Sequence, residues 1–163
     1  MNSDLAQRIG ASLDRSVRDE VAAYAKRLGE EAGALAVLFY GSNLRTGSLE
    51  GVLDFYILLP GPQRERIWPR VSYREWDHAG AEVTEALCAA AVTAGRLAAA
   101  VGPARGTADD YWRALFRATY KAEFRVEKPG RENSILEVNA DHFDGLLPIA
   151  WNAGGMRFKR MNG

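Results

Sequence analysis

Two short segments of the chain carry residue types that suit a phosphate and a metal ion. Leu38-Phe39-Tyr40 runs into Gly41-Ser42, and a polar, glycine-containing loop then leads to Val52-Leu53-Asp54-Phe55-Tyr56-Ile57-Leu58-Leu59. A phosphate needs close approach of the backbone and oriented N–H donors; glycine permits the approach and serine adds a hydroxyl. Asp54 is a lone carboxylate in an apolar run, a costly placement unless the charge is paired or binds a metal. Strand alternation puts Tyr56 on the same face as Asp54, at the position where a two-metal site for in-line phosphoryl chemistry carries a second carboxylate. Gly-Ser is also a common turn signal, and an edge-strand aspartate can pair with an arginine, so both of these plainer readings stand beside the functional one.

A third group is the charged run Tyr120-Lys121-Ala122-Glu123-Phe124-Arg125-Val126-Glu127-Lys128. Lys121 and Arg125 are four apart and share a helix face, which suits a triphosphate or an anionic lipid head group. The alternative is a solvated face with Glu–Lys pairs. Asn139, Asp141 and His142 mark a helix start that either binds an anion or is simply capped. His78 and His142 are the only histidines and Cys88 the only cysteine. A His/Cys cluster, a Cys-based zinc site and an intramolecular disulfide are therefore excluded, and no motif supports a Ser-His-Asp arrangement. Cys88 reads as a small buried side chain in an Ala-rich helix, and a reducing compartment fits.

The elements that must position these residues follow from periodicity. Leu5, Ile9, Leu13, Val17, Val21, Tyr24 and Leu28 recur every three or four residues, which predicts one amphipathic helix from Ser3 or Asp4 to about Gly29. Residues 34–40 read as a buried strand, 43–51 as a loop broken by Gly47 and Gly51, and 52–59 as a second strand stopped by Pro60-Gly61-Pro62. Residues 63–78 hold Trp68, Pro69, Tyr73 and Trp76 among charges, with Val71-Ser72-Tyr73 a short strand candidate. A helix is expected over 79–101, with Val83, Leu87, Ala91, Ala94, Leu97 and Val101 on its apolar stripe. Thr107-Ala108-Asp109-Asp110 resembles a capping box with Asp in place of Glu or Gln, opening a helix to about Arg125 whose inward residues are Trp112, Leu115, Phe116 and Thr119. Lys128-Pro129-Gly130 is a turn and 134–138 a short apolar stretch. Asn139 caps a last short helix over 140–147, ending before Pro148, and 151–163 reads as a frayed tail.

The chain has 163 residues and 47% apolar composition, enough for one domain with a real core or a domain with a helical annex. Lys+Arg and Asp+Glu are both 21, and this balance weighs against non-specific nucleic-acid binding. No run of about 18 uncharged apolar residues occurs, so no membrane span is expected. Asp4, Asp14, Asp19 and Glu20 are wrong for a secretory signal or a mitochondrial presequence.

Together, Tyr40-Gly41-Ser42 and Leu53-Asp54-Phe55 resemble the mitochondrial-type phosphatidate cytidylyltransferases, a family that maintains the inner-membrane protein translocator and belongs to the DNA polymerase β-like nucleotidyltransferase superfamily. The resemblance returns at Ala91-Val92-Thr93-Ala94, Asp109-Asp110-Tyr111-Trp112 and Tyr120-Lys121-Ala122-Glu123-Phe124-Arg125. It ends in Asn139-Ala140-Asp141-His142-Phe143, which looks like the family's Asn-x-x-His-Phe element after a short strand. It spans most of 34–150 in the family's order. The family's strand also tends to lack the second acid, as Tyr56 does here. It implies CTP plus phosphatidate giving CDP-diacylglycerol and pyrophosphate with Mg²⁺, in phospholipid and cardiolipin biosynthesis. Ser42, with Gly41, would contact a phosphate and Asp54 would bind the metal, while Tyr120, Lys121, Glu123 and Arg125 would line the nucleotide or lipid-phosphate site. The family has a long central section, carrying strands and another carboxylate, where this chain has only 74–78, and it continues beyond the equivalent of Trp151. The chain thus looks like an internally shortened, C-terminally clipped relative, with Glu75, Asp77 or Glu82 as substitutes for the missing ligand.

The expected fold is α+β: a reduced nucleotidyltransferase core over 1–78, with a small mixed sheet of two or three strands, and a helical C-terminal region over 79–163. The leading expectation is a phosphatidate cytidylyltransferase-like protein. Asp54, Lys121 and Arg125 are its catalytic residues, and Gly41, Ser42, Tyr120 and Glu123 its nucleotide-binding ones. Mg²⁺ is its cofactor, and CTP, phosphatidate and a peripheral contact with an anionic membrane are its partners. A homodimer is left open, and a cytoplasmic or inner-membrane peripheral location is expected. Trp68, Trp76 and Trp151 are candidates for a membrane interface or for buried packing. The alternatives are a non-catalytic nucleotide- or anionic-lipid-binding remnant, and a nucleotidyltransferase with another acceptor.

Overall fold

The computed structural model describes residues 3–60, 81–122, 130–138 and 140–161, a mostly helical α+β chain. Its elements run α1 (Ser3–Leu13), α2 (Asp19–Ala32), β1 (Ala36–Tyr40), α3 (Ser42–Thr46), β2 (Asp54–Leu58), α4 (Ala81–Val101), α5 (Ala108–Ala122), α6 (Arg131–Val138) and α7 (Ala140–Ala153). They group into two compact units, Ser12–Thr84 and Met1–Ala11 with Glu85–Gly163. The division expected at 78/79 thus falls at 84/85, and the first eleven residues group with the helices.

The expected first helix is two helices. Backbone turns extended at Arg18 (φ −62°, ψ 145°), and Asp19 and Glu20 then start α2 as acids in its first turn, where the helix dipole favours them. Leu13, Val17 and Val21 keep a four-residue spacing across this break, so periodicity reads through it. α2 continues to Ala32 and closes on Gly33 (φ 54°), with Ala34 N–H donating to Gly29 O at 3.1 Å. This is a Schellman ending, which needs a left-handed residue.

In the first unit β1 and β2 pair antiparallel in the register Ala36↔Leu58 to Tyr40↔Asp54, and they form the one sheet among the described residues. Phe39 and Phe55 pair across the strands (5.1 Å between centroids), and Tyr24 of α2 meets Phe55 at 5.6 Å. α2 therefore covers the Phe39–Phe55 face. The expected loop over 43–51 begins as the short helix α3, which ends at left-handed Gly47 (φ 69°). The segment 63–78, with Trp68, Pro69, Val71, Tyr73, Trp76 and His78, lies outside the described residues.

In the second unit α7 is central. Leu146, Leu147, Ala150 and Trp151 are buried. The Trp151 indole N–H donates to Gly95 O at 2.7 Å, and its ring packs edge-on against Tyr111 (5.0 Å) and against Phe158 (5.1 Å). The helix expected to stop at Leu147 instead passes through Pro148. Proline removes one backbone hydrogen bond, and the burial of Ala150 and Trp151 on its far side outweighs that loss. Trp151 is accordingly a core residue, and the tail is anchored. Gly155 (φ 68°) closes α7 with Met156 N–H on Trp151 O at 2.9 Å, and Arg96 donates to Gly154 O at 2.8 Å.

Val83 of the expected stripe is buried, and the buried line of α4 continues through Cys88, Gly95 and Ala98, whereas Leu97 and Val101 of that stripe are exposed. A Cβ at Gly95 would sit 3.2 Å from both Ala150 Cβ and Trp151 Cδ1, so small residues are what let α4 and α7 meet. Cys88 is buried as expected, and desolvation, with the Glu85 charge beside it, raises its thiol pKa. Glu82–Val101 is long and apolar enough, by length and composition, to cross a membrane, with 28% of that stretch buried. Glu85 and Arg96 interrupt what would otherwise be an uncharged run.

Residues 134–138 belong to helix α6, not to a short strand. Glu132 on α6, 5% exposed, accepts from Arg117 Nε at 2.7 Å, and Leu136 beside it is buried. Trp112 is buried, and its indole N–H donates to Phe143 O at 2.8 Å. Phe116 packs edge-on to Phe143. Thr119, expected inward, is exposed and back-bonds to Leu115 O. The capping box forms as read: Asp110 Oδ2 accepts from Thr107 N–H at 2.8 Å, and Asp110 N–H donates to Thr107 Oγ1 at 3.3 Å.

Candidate functional site

The hairpin register puts Asp54, the first residue of β2, opposite Tyr40, the last of β1. Gly41 follows at φ 91°, a backbone conformation that side-chain-bearing residues rarely adopt. An ideal Cβ built on Gly41 would lie 2.6 Å from Asp54 Oδ2 and 3.4 Å from Asp54 Cγ. The carboxylate thus occupies the space that any other residue at position 41 would fill. Gly41 and Asp54, thirteen positions apart in the sequence, are brought together as the sequence suggested.

The Asp54 side chain is half-buried, and among the described residues no hydrogen bond or ion pair reaches its carboxylate. The plainer reading of Asp54, an edge-strand aspartate held by an arginine, therefore finds no partner there. An unpaired, partly desolvated carboxylate is a natural cation ligand. Mg²⁺ keeps several waters and is held through one or two carboxylates together with substrate phosphates, so a single Asp54 fits that ion.

Asn43 is a residue the sequence reading passed over. It is 5% exposed, and its Nδ2 donates to Ser48 O at 3.0 Å and Glu50 O at 2.8 Å. These two bonds fold the loop back on α3 and so fix the path between Gly41 and Asp54. The available signal was an amide residue just inside a loop that two glycines break. Gly51 (φ 91°) supplies the second reversal.

Alternation along the strands puts Tyr40, Asp54 and Tyr56 on one face. The Tyr40 and Tyr56 rings stack at 4.2 Å and 9°. A cleft of about 120 Å³ in the same unit lies on the other face, lined by Arg15, Arg18, Val21, Phe39, Asn43 and Leu44 among others. Neither Gly41 nor Asp54 borders it.

The remaining candidates divide as follows. Ser42 opens α3. Tyr120 and Lys121 lie in the last turn of α5, in the helical unit, with Lys121 exposed. Glu123 and Arg125 lie outside the described residues, as do Glu75, Asp77 and Asn139. Glu82 is exposed on α4. His142 packs edge-on to Phe143 in α7, and the guanidinium of Arg8 donates to the Asp141 and His142 carbonyls. The helix start at 140–142 thus ties α1 to α7. Among the described residues no group of three His, Cys, Asp or Glu side chains gathers into a metal site.

Comparison of the chain with protein-family models, with curated proteins and with solved structures finds no match.

Proposed function

We propose that the hairpin unit is a reduced nucleotidyltransferase core that holds a Mg²⁺-bound nucleotide triphosphate, and that the chain transfers CMP from CTP to phosphatidate. One observation carries the reading: a half-buried carboxylate without a partner among the described residues, lodged against the side-chain-free Gly41 at the end of a β-hairpin. Tyr40-Gly41-Ser42 and Leu53-Asp54-Phe55, with their resemblance to the phosphatidate cytidylyltransferases, supply the substrate class.

In this reading the backbone at Gly41 and Ser42 cradles a phosphate, and Asp54 is the metal ligand. Mg²⁺ held by Asp54 would supply positive charge that offsets the charge of the phosphates. The resemblance alone gives Lys121 and Arg125 a part in neutralising further phosphate charge. A phosphatidate oxygen attacks the α-phosphorus of CTP, the bond to the β-phosphate oxygen breaks, and pyrophosphate leaves with that oxygen's electron pair. No covalent enzyme intermediate is required, because positioning and charge neutralisation carry most phosphoryl-transfer catalysis. The lipid acceptor brings a peripheral contact with an anionic membrane.

The single carboxylate favours one other reading, a remnant that binds nucleotide or anionic lipid without turnover. Calorimetric titration of Mg·CTP into the chain, beside Asp54→Asn, separates the outcomes. Binding that weakens about tenfold or more in the variant, the scale of one charged contact, supports the metal–nucleotide site. Mg²⁺-dependent formation of CDP-diacylglycerol from phosphatidate vesicles then excludes the remnant. CTP consumption that does not depend on phosphatidate points to another acceptor, and absence of binding in both proteins overturns the reading.

A further inference from the structure

Tyr56 stands two residues beyond Asp54 on the same face of β2, where a second metal-binding carboxylate would have been of use. Its ring lies nearly parallel to that of Tyr40, at 4.2 Å and 9°. The other aromatic pairs among the described residues are tilted or edge-on, with interplanar angles from 30° to 85°. Edge-on and offset-stacked arrangements are both ones that aromatic side chains prefer, so what marks the Tyr40–Tyr56 pair is its exposure and its place beside Asp54. Tyr40 and Tyr56 are also the pair on the hairpin face opposite α2, and they are 37% and 56% exposed. Tyr40 stacks on one face of the Tyr56 ring, and Tyr56 is still 56% exposed. The Tyr56 hydroxyl makes no hydrogen bond among the described residues.

We propose that the Tyr40–Tyr56 pair is a stacking platform for the base of a nucleotide whose phosphates are held at Asp54. This rests on the nucleotide reading above and deepens it. A flat, doubled π surface beside a cation-binding carboxylate matches the two ends of a nucleotide: planar base and anionic phosphates. Two residues along a strand span about 6.8 Å, a separation that a ribose bridges between an α-phosphate and its base. At the position after Asp54 on this face, the chain thus offers a base-binding surface. Stacking is tolerant of base identity because every base has a π face. The platform thus provides affinity for the nucleoside end, and base choice comes from elsewhere.

The test is calorimetric titration of the full chain, of Tyr56→Leu and of Tyr56→Phe with three probes: Mg·CTP, Mg·ATP and Mg·tripolyphosphate. Tyr56→Leu keeps apolar cover over the hairpin and removes the π face. It should weaken CTP and ATP by similar factors of roughly 5- to 100-fold, the range measured for loss of a base–aromatic stack. Tripolyphosphate should bind as tightly as to the unaltered chain, and Tyr56→Phe should restore both nucleotides. An equal loss for tripolyphosphate and CTP would mean that Tyr56 only shapes the phosphate site, and the platform is overturned. CTP binding untouched by Tyr56→Leu but lost in Asp54→Asn overturns the platform and leaves the nucleotide site standing. Failure of all three probes to bind the unaltered chain overturns both.

Discussion

The two units of this protein bury different things. In the helical unit the large aromatics are inside: Trp112 and Trp151 are buried, each with its indole N–H on a backbone carbonyl, and the helices meet across small residues such as Gly95 and Ala98. The hairpin unit buries little that is large. Val21 and Ala36 are its fully buried apolar residues among those described outside α4; its buried polar residue, Asn43, is spent on shaping a loop. Two of its tyrosines are exposed, and its half-buried Asp54 carboxylate has no partner among the described residues. An exposed aromatic pair and a half-buried acid do little for stability, and in the proposed function their presence on one small hairpin makes that unit the one that carries the chemistry. The helical unit supplies packing.

The largest expected effect follows from Trp151. Trp151→Ala deletes a buried indole, its hydrogen bond to Gly95 O and its contacts with Tyr111 and Phe158. The expected loss of stability is about 3–5 kcal/mol. Chemical denaturation measures the loss, and amide hydrogen exchange locates it. Exchange should rise in α4, α5 and α7 while β1 and β2 keep their protection. A uniform rise through both units would break the comparison, because the hairpin would then draw its stability from the helices.

How much of this was legible in the sequence depended on whether the deciding interaction was local. The Thr107–Asp110 box formed as read, because both partners sit within one turn and the chemistry is fixed by residue type. The two strands and the grouping of Gly41 with Asp54 were legible for a similar reason, apolar runs separated by glycine breaks; the antiparallel pairing was not, since the expected sheet is a mixed one of two or three strands. Pro148 misled, because its local preference to end a helix is overridden by Trp151 reaching α4. The C-terminal end of the α4 stripe misled likewise, while Val83 at its start is buried as read. Leu97 and Val101 are the more apolar residues, but only the smaller Gly95 allows the close approach of Trp151. The break between α1 and α2 was invisible to periodicity, since the apolar spacing continues across it. Asn43 and the Tyr40–Tyr56 stack depend on the turn of the loop and the twist of the hairpin, which residue types alone do not give.

Next in size is Gly41→Ala, which sharpens the hairpin side of the comparison. The added methyl group meets Asp54 Oδ2 at 2.6 Å unless one of them moves, and the residue must hold φ 91°. Strain of this kind costs about 1–3 kcal/mol, less than the Trp151 deletion. Displacing the carboxylate should nevertheless abolish Mg²⁺-dependent CTP binding in calorimetry, whereas Trp151→Ala should leave the affinity of the folded fraction unchanged. If Gly41→Ala binds CTP normally, the Gly41–Asp54 approach is structural and the hairpin loses its claim to the chemistry.

The smallest effect belongs to the helical unit and tests whether its charges are only structural. Bonds from Thr107, the backbone N–H foremost, hold the Asp110 carboxyl below its ordinary pKa, with Arg113 adding a smaller charge effect. The Glu132 carboxyl is held low by backbone hydrogen bonding and by Arg117, with Arg113 again nearby. Both folded pKa values lie below the unfolded ones, so both groups favour the folded state fully above the ordinary carboxylate range. That contribution is lost as pH falls through the depressed folded values. Asp110→Ala removes one half of a cap and should cost about 1 kcal/mol at neutral pH. In denaturation curves measured from neutral pH into acid, the gap between Asp110→Ala and the unaltered chain should narrow as pH falls below the ordinary aspartate pKa of 3.8. A gap that stays constant into strong acid would mean that Asp110 acts through packing and not through its charge. The capping box would then contribute to the helical unit in the same way as its buried tryptophans.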